Sequence, residues 1–198
     1  MNLVARTLNI LTQPKPELAR AAAEPLNSAA VIAGYAAILA ALPALGTLLS
    51  GIISSGSYLG YTIGTLLVLA LVFYFIRDLG ITILMGIIAA ALAPNFGGMS
   101  NKDGAMKLVC YAATPIWIAS FIGALLSFAV PQLGIILVVL GFGYAGYLLY
   151  LGCRPLLGVP DNQAPAVAGI LTVIWLVLYF LVAAVFVRIF LGGGYGLI

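Results

Sequence analysis

The chain has 198 residues, of which 64 % are hydrophobic and only 7 % charged. A soluble domain carries roughly 25 % charged residues, so too little charge is present to cover a water-facing surface, and lipid must be the solvent over most of the outside. The net charge of +3, from eight Lys/Arg and five Asp/Glu, is an orientation signal rather than a nucleic-acid footprint, and the absence of His removes the commonest metal ligand and general base together.

Residues 1–27 are the one sizeable polar stretch. Leu3, Val4, Leu8 and Leu11 fall near helical spacing with Arg6 and Asn9 between them, which predicts a short helix lying in the membrane interface. Pro14 and Pro16 bracket Lys15 and predict a break, after which Pro16 opens a second short helix over 17–23 with Glu17 in its first turn. No cleavable signal peptide is apparent, because Arg6, Lys15, Glu17, Arg20 and Glu24 interrupt the first 25 residues, and the first span is expected to direct insertion itself.

A helical span takes about 20 apolar residues, and five candidates follow: 28–53, 58–93, 107–130, 132–153 and 165–191. Pro43 predicts a kink in the first. The second would make about 54 Å of helix against a hydrocarbon core of about 30 Å, and Arg77 and Asp78 sit near its centre. The positive-inside rule favours one long tilted helix over two short spans. With five spans and an inside N-terminus, Arg6, Lys15, Arg20, Lys102, Lys107 and Arg154 fall inside, whereas 54–57 and the turn around Pro131 carry no charge and only Arg188 lies near the outer face. The expectation is therefore an all-α, five-span bundle over 28–198, N-terminus cytoplasmic and C-terminus outside, preceded by cytoplasmic interfacial helices over 1–27. Ala33, Ala37 and Ala41, and the Gly60–Gly64 pair, are candidate small-residue packing motifs.

Two readings of Arg77-Asp78 stand. Intramembrane charge marks a polar site on a permeation or binding path, or else the tilt carries both groups to the inner headgroup level, where they snorkel or pair. Adjacent helical residues do not face each other, so separate partners are expected. The loop beginning at Pro94 reads as a turn between spans, without a phosphate-binding pattern, and Lys102 and Lys107 after it are expected to face anionic headgroups. Pro115 frees a carbonyl near Tyr111 and, with Thr114 and Trp117, marks a break in the third span. Tyr144, Tyr147 and Tyr150 recur at steps of three. They are candidates for buried hydroxyl bonds or a stacking wall, although Tyr150 also suits an interface. Cys110 and Cys153 fall at the cytoplasmic end, where no disulfide is expected. The Gly192-Gly193-Gly194-Tyr195-Gly196 tail reads as a terminus, not an ion filter. No cofactor and no metal site is expected, nucleophilic catalysis lacks its base, and the five acids are scattered rather than paired.

Several segments resemble the Yip family of five-span membrane proteins, in particular its bacterial branch. They are Glu24-Pro25 before the first span, Pro94-Asn95-Phe96-Gly97-Gly98, the run Ala105-Met106-Lys107-Leu108-Val109-Cys110-Tyr111-Ala112-Ala113-Thr114-Pro115, and Gly143-Tyr144-Ala145-Gly146-Tyr147-Leu148-Leu149-Tyr150-Leu151-Gly152, with Pro155 and Pro160 following. The resemblance implies a five-helix membrane domain with a cytoplasmic N-terminus and supplies no catalytic residues. Eukaryotic members engage small Rab-type GTPases and one another in vesicle traffic. This chain lacks their long N-terminal region and their Asp-Leu-Tyr-Gly-Pro motif, so GTPase binding does not carry over. The expected role is a non-enzymatic scaffold in a bacterial inner membrane, acting through lipids, further copies or other membrane proteins, with no nucleic-acid partner. The alternative is a small-solute or ion conduit with a polar site near Arg77, Asp78 and Tyr111.

Overall fold

A computed structural model describes residues 2–25, 27–55, 61–127 and 129–190. Every regular element among them is helical, and five helices are long and apolar enough to cross a membrane: Ser28–Ile53, Leu71–Phe96, Lys102–Leu126, Pro131–Leu157 and Ala164–Val185. In lipid each backbone polar group must be satisfied within the protein, and continuous helices do this without partners.

The N-terminal residues form a hairpin of α1 (Leu3–Thr12) and α2 (Pro14–Ala23). The break falls at the single residue Gln13, not between the two prolines. Pro14 disfavours helical geometry in the residue before it and is itself suited to a first helical turn, so α2 starts there.

The first span is not one regular helix. It runs α3 (Ser28–Val31), a π-turn over Ile32–Ala36, α4 (Ala37–Leu39) and α5 (Ala41–Ser55). The interruption at Ala40 is the kink expected from Pro43, whose ring and missing N–H forbid the bond to Leu39. The extra residue of the π-turn rotates the helix face. Ala36, Ala40 and Ala44 are buried as a result, whereas Ala33 is exposed and Ala37 and Ala41 are half-buried, so the packing ladder lies on a different set from the one expected. Gly60 of the Gly60–Gly64 motif, residues 56–57 and the glycine-rich tail lie outside the described residues.

The second span is one uninterrupted helix, α6 (Tyr61–Leu92), about 48 Å long at 1.5 Å per residue. A 3₁₀ turn over Ala93–Phe96 ends it. Gly97 (φ 74°) adopts the left-handed conformation there that releases the chain, and Gly158 (φ 67°) does the same after the fourth span. The third span is α7 (Lys102–Ala112) and α8 (Thr114–Leu126), interrupted at Ala113 just before Pro115. The Asn101 side chain accepts from Gly104 N at 3.0 Å, a cap that starts the helix earlier than hydropathy suggests. The fourth and fifth spans are α9 (Pro131–Leu157) and α10 (Ala164–Phe190).

The third span occupies the middle. Buried residues make up 61 % of its most apolar window, against 22–33 % for the others. It packs on α5, α6 and α9, while α10 closes the group against α9 and α6. The hairpin packs on α7, α8 and α9 at the end that carries the loops after Phe96 and Leu157, which are joined by Met99 N to Leu157 O at 2.8 Å. Gly123 and Gly134 face each other across α8 and α9, where an added Cβ on either would lie 3.0–3.1 Å from the other's carbonyl oxygen.

Candidate functional site

Among the described residues, buried charge is concentrated in two places, at opposite ends of the bundle. The first is the seat of the N-terminal hairpin. Arg6 is 5 % exposed and Glu17 is 3 % exposed. Arg6 Nη1 lies 3.0 Å from Glu17 Oε1, and Arg6 Nη2 donates to Glu24 Oε1. Glu17 also accepts from Arg20 Nη1 at 2.9 Å and from Asn9 Nδ2 at 3.2 Å. Two carboxylates thus converge on one guanidinium, which corrects the expectation of scattered acids. Burial works to lower the Arg6 pKa, but the Glu24 hydrogen bond, with the groups of Tyr111, Glu24 and Glu17 nearby, holds it above the ordinary arginine value. Both acids are spent on structure.

Beneath Arg6 lies the middle of the third span. The guanidinium carbon sits 5.5 Å from the centre of the Tyr111 ring, within cation–π range. Tyr111 meets Tyr35 edge-on at 5.0 Å, and the Tyr35 hydroxyl shares a 2.7 Å hydrogen bond with Thr114 Oγ1. Lys107 is buried, and its Nζ donates to Ala21 O at 3.1 Å and Glu24 O at 2.6 Å. Both carbonyls belong to the C-terminal end of α2, where a cation is favoured. Lys107 therefore does not face headgroups as expected. Lys102 is exposed. The Tyr144 hydroxyl donates to Leu11 O at 2.8 Å, tying the end of α1 to α9.

Of the residues singled out from sequence, Glu24, Lys107, Tyr111, Thr114 and Tyr144 meet at this seat. Pro115 is buried beside it as the first-turn residue of α8. Pro25 and Pro94 are exposed in the adjoining turns. Tyr147 and Tyr150 are 48 % and 41 % exposed and turn away from it. Sequence reasoning missed Arg6, Glu17 and Tyr35. The available signal was an arginine on the far side of the Leu3–Leu8–Leu11 stripe from the lipid.

The second site is Arg77-Asp78. The two side chains are paired with each other rather than with separate partners. Arg77 Nε donates to Asp78 Oδ1 at 2.9 Å, and Nη2 approaches the same oxygen at 2.8 Å. The long arginine stem bends back along its own helix, which rigid side-chain directions do not anticipate. Nη2 also donates to Tyr179 OH at 3.0 Å, and the guanidinium lies 4.6 Å and 4.3 Å from the centres of the Tyr74 and Tyr179 rings. Both residues are buried, at 7 % and 5 % exposure. They stand about 22 Å of helix from Leu92 at 1.5 Å per residue, so they are not at the hairpin end, where the inner headgroups were expected to take them. Arg77, Tyr74 and Tyr179 line an open recess of about 240 Å³ near the α8–α9 turn, together with Pro43, Thr47, Ser120 and Pro131. Neither Tyr111 nor Tyr147 lines it. Tyr111 is fully buried at the opposite end, against Tyr35.

Cys110 and Cys153 are both buried free thiols. Among the described residues no group of three His, Cys, Asp or Glu side chains is placed to hold a metal ion. A family model described as the Yip1 domain matches residues 8–185. No curated protein and no solved structure matches the chain.

Proposed function

The chain belongs to the Yip1 domain family, a family of membrane proteins not known as enzymes, and from that premise we propose that it is a non-enzymatic organiser of the membrane, presenting its N-terminal hairpin as a fixed platform to lipids and to other membrane proteins or further copies of itself. The observation that carries this reading is the ionic seat. Arg6, Glu17 and Glu24 close the hairpin on itself, while Lys107 of the central span holds the carbonyls at its end and Tyr111 lies under Arg6, so these charges are consumed in folding the hairpin and seating it on the bundle. Catalysis or transport would array such groups around a cavity.

The conduit reading loses its main support, because Arg77 and Asp78 neutralise each other and the recess beside them is not lined by Tyr111 or Tyr147. Proteoliposomes holding the full chain are expected to pass protons, alkali cations and small anions no faster than protein-free vesicles. Saturable flux abolished by Arg77→Ala would overturn the organiser reading.

A cytoplasmic N-terminus, an outside C-terminus and residence in a bacterial inner membrane are part of the same proposal, supported by Lys15, Arg20, Lys102 and Arg154 lying exposed at the hairpin end. Reporter fusions that placed the C-terminus in the cytoplasm would reverse it. GTPase and nucleic-acid binding have no support in the residues present.

A further inference from the structure

At the hairpin end, α2, α9 and α10 surround a depression of about 450 Å³ whose polar lining is Lys15, Tyr150, Arg154 and Asp161. Tyr150 is also a wall of a second depression, of about 480 Å³, which follows the seam of α9 and α10 past Tyr147, Gly146 and Gly169. One aromatic side chain therefore joins a charged mouth to an apolar trough. From Arg154 to Gly146 the trough follows about 12 Å of helix at 1.5 Å per residue, towards the middle of the bundle.

The mouth carries a surplus of one positive charge. Arg154 Nη1 is 2.5 Å from Asp161 Oδ2, with both side chains exposed, and Lys15 adds a second cation. A guanidinium has five N–H donors, so the Asp161 contact leaves Arg154 with capacity for a further oxyanion. Tyr150 stands between the charged mouth and the apolar trough and Tyr147 lines the trough; such amphipathic rings suit a boundary between headgroup and chain. Deeper in, the Thr172 hydroxyl is already bonded to Ala168 O at 2.7 Å, so the trough asks nothing polar of its occupant. An added Cβ at Gly169 would meet nothing within 4 Å.

We propose that this mouth and trough form a binding site for one anionic diacyl phospholipid of the surrounding leaflet. Lys15 and Arg154 hold its phosphate, and one acyl chain lies along Gly146 and Gly169 beside Tyr147. The inference rests on the organiser reading only in naming one of its lipid partners. A peptide helix would bring its own charge pattern to the mouth, where the observed surplus of one cation matches a single phosphate.

The test is native mass spectrometry of the purified full chain with dioleoyl phosphatidylglycerol, dioleoyl phosphatidylcholine or inorganic phosphate. One surplus cation near an anionic group predicts a preference of about fivefold for the glycerol lipid over the choline lipid. Lys15→Gln with Arg154→Gln should bring that ratio close to one. Gly169→Leu, whose side chain enters open space, should lower retention of both lipids while leaving the melting temperature unchanged. Lys102→Gln, an exposed cation elsewhere at the same end, should change nothing. The proposal is overturned if the Lys15/Arg154 variant keeps the wild-type ratio, or if inorganic phosphate displaces the glycerol lipid. Both variant positions are exposed, so that variant decides the matter even if Gly169→Leu does not fold. Flux through proteoliposomes is a separate readout: a transporter that retained this lipid would overturn the organiser reading and leave the site standing.

Discussion

Arg6 shows how a residue's neighbours decide its role. On sequence it reads as a polar position between lipid-facing leucines, and Val4 and Leu8 are indeed exposed at 63 % and 56 %. The helix turns that apolar face outward and its arginine inward, because the buried Glu17 and half-buried Glu24 offer more than water does to a guanidinium that would otherwise sit near lipid. No spacing rule reveals this, since Glu17 and Glu24 lie beyond a turn whose geometry the sequence leaves open. Arg77 and Asp78 were legible as residues to watch, but their mutual pairing was not, because it depends on how the arginine stem bends. A buried ion pair is costly to break and cheap to replace. Arg77→Leu alone should destabilise the bundle by about 3–5 kcal/mol by stranding Asp78, whereas Arg77→Leu with Asp78→Leu should recover most of the loss. Reversible unfolding in mild detergent with added denaturant measures both, and additive losses would refute the pairing.

Among the elements, the third span was the least fully read. Its hydropathy and its Pro115 break were visible in the sequence, and the break appears at Ala113 as expected. Its central position was not visible, because each span is apolar enough to face lipid and apolarity alone does not say which one is surrounded by protein. The first span carries a similar lesson. Pro43 announced the interruption at Ala40, but the π-turn over Ile32–Ala36 has no sequence signature here, and it moved the buried alanines to Ala36, Ala40 and Ala44. The two spans are pinned to each other by the fully buried Tyr35–Thr114 hydrogen bond. A double-mutant cycle of Tyr35→Phe and Thr114→Val should give a coupling of about 1 kcal/mol, read from the same unfolding curves. A coupling indistinguishable from zero would mean that the bond does not hold the first span to the third.

For the whole molecule, composition alone indicated a membrane bundle, and hydropathy located five apolar helices with end errors of a few residues. Hydropathy could not show that the polar N-terminal stretch is part of the bundle. Ile10, Leu18 and Ala21 are fully buried, and Lys107 and Tyr144 hold the hairpin's carbonyls from two different spans. That union makes the hairpin a rigid surface rather than a tether, and the proposed role depends on it. Hydrogen–deuterium exchange over residues 2–25 of the full chain in lipid nanodiscs tests it most directly. The backbone amides of α1 and α2 should be strongly protected in the wild type. In Arg6→Ala, which takes from Glu17 and Glu24 the buried cation they share and leaves Glu17 only the exposed Arg20 and Asn9, they should exchange about a hundredfold faster or more, while the five spans stay protected. Free-peptide exchange over residues 2–25 in the wild type, or unchanged protection in Arg6→Ala, would contradict a hairpin fixed by its buried ions.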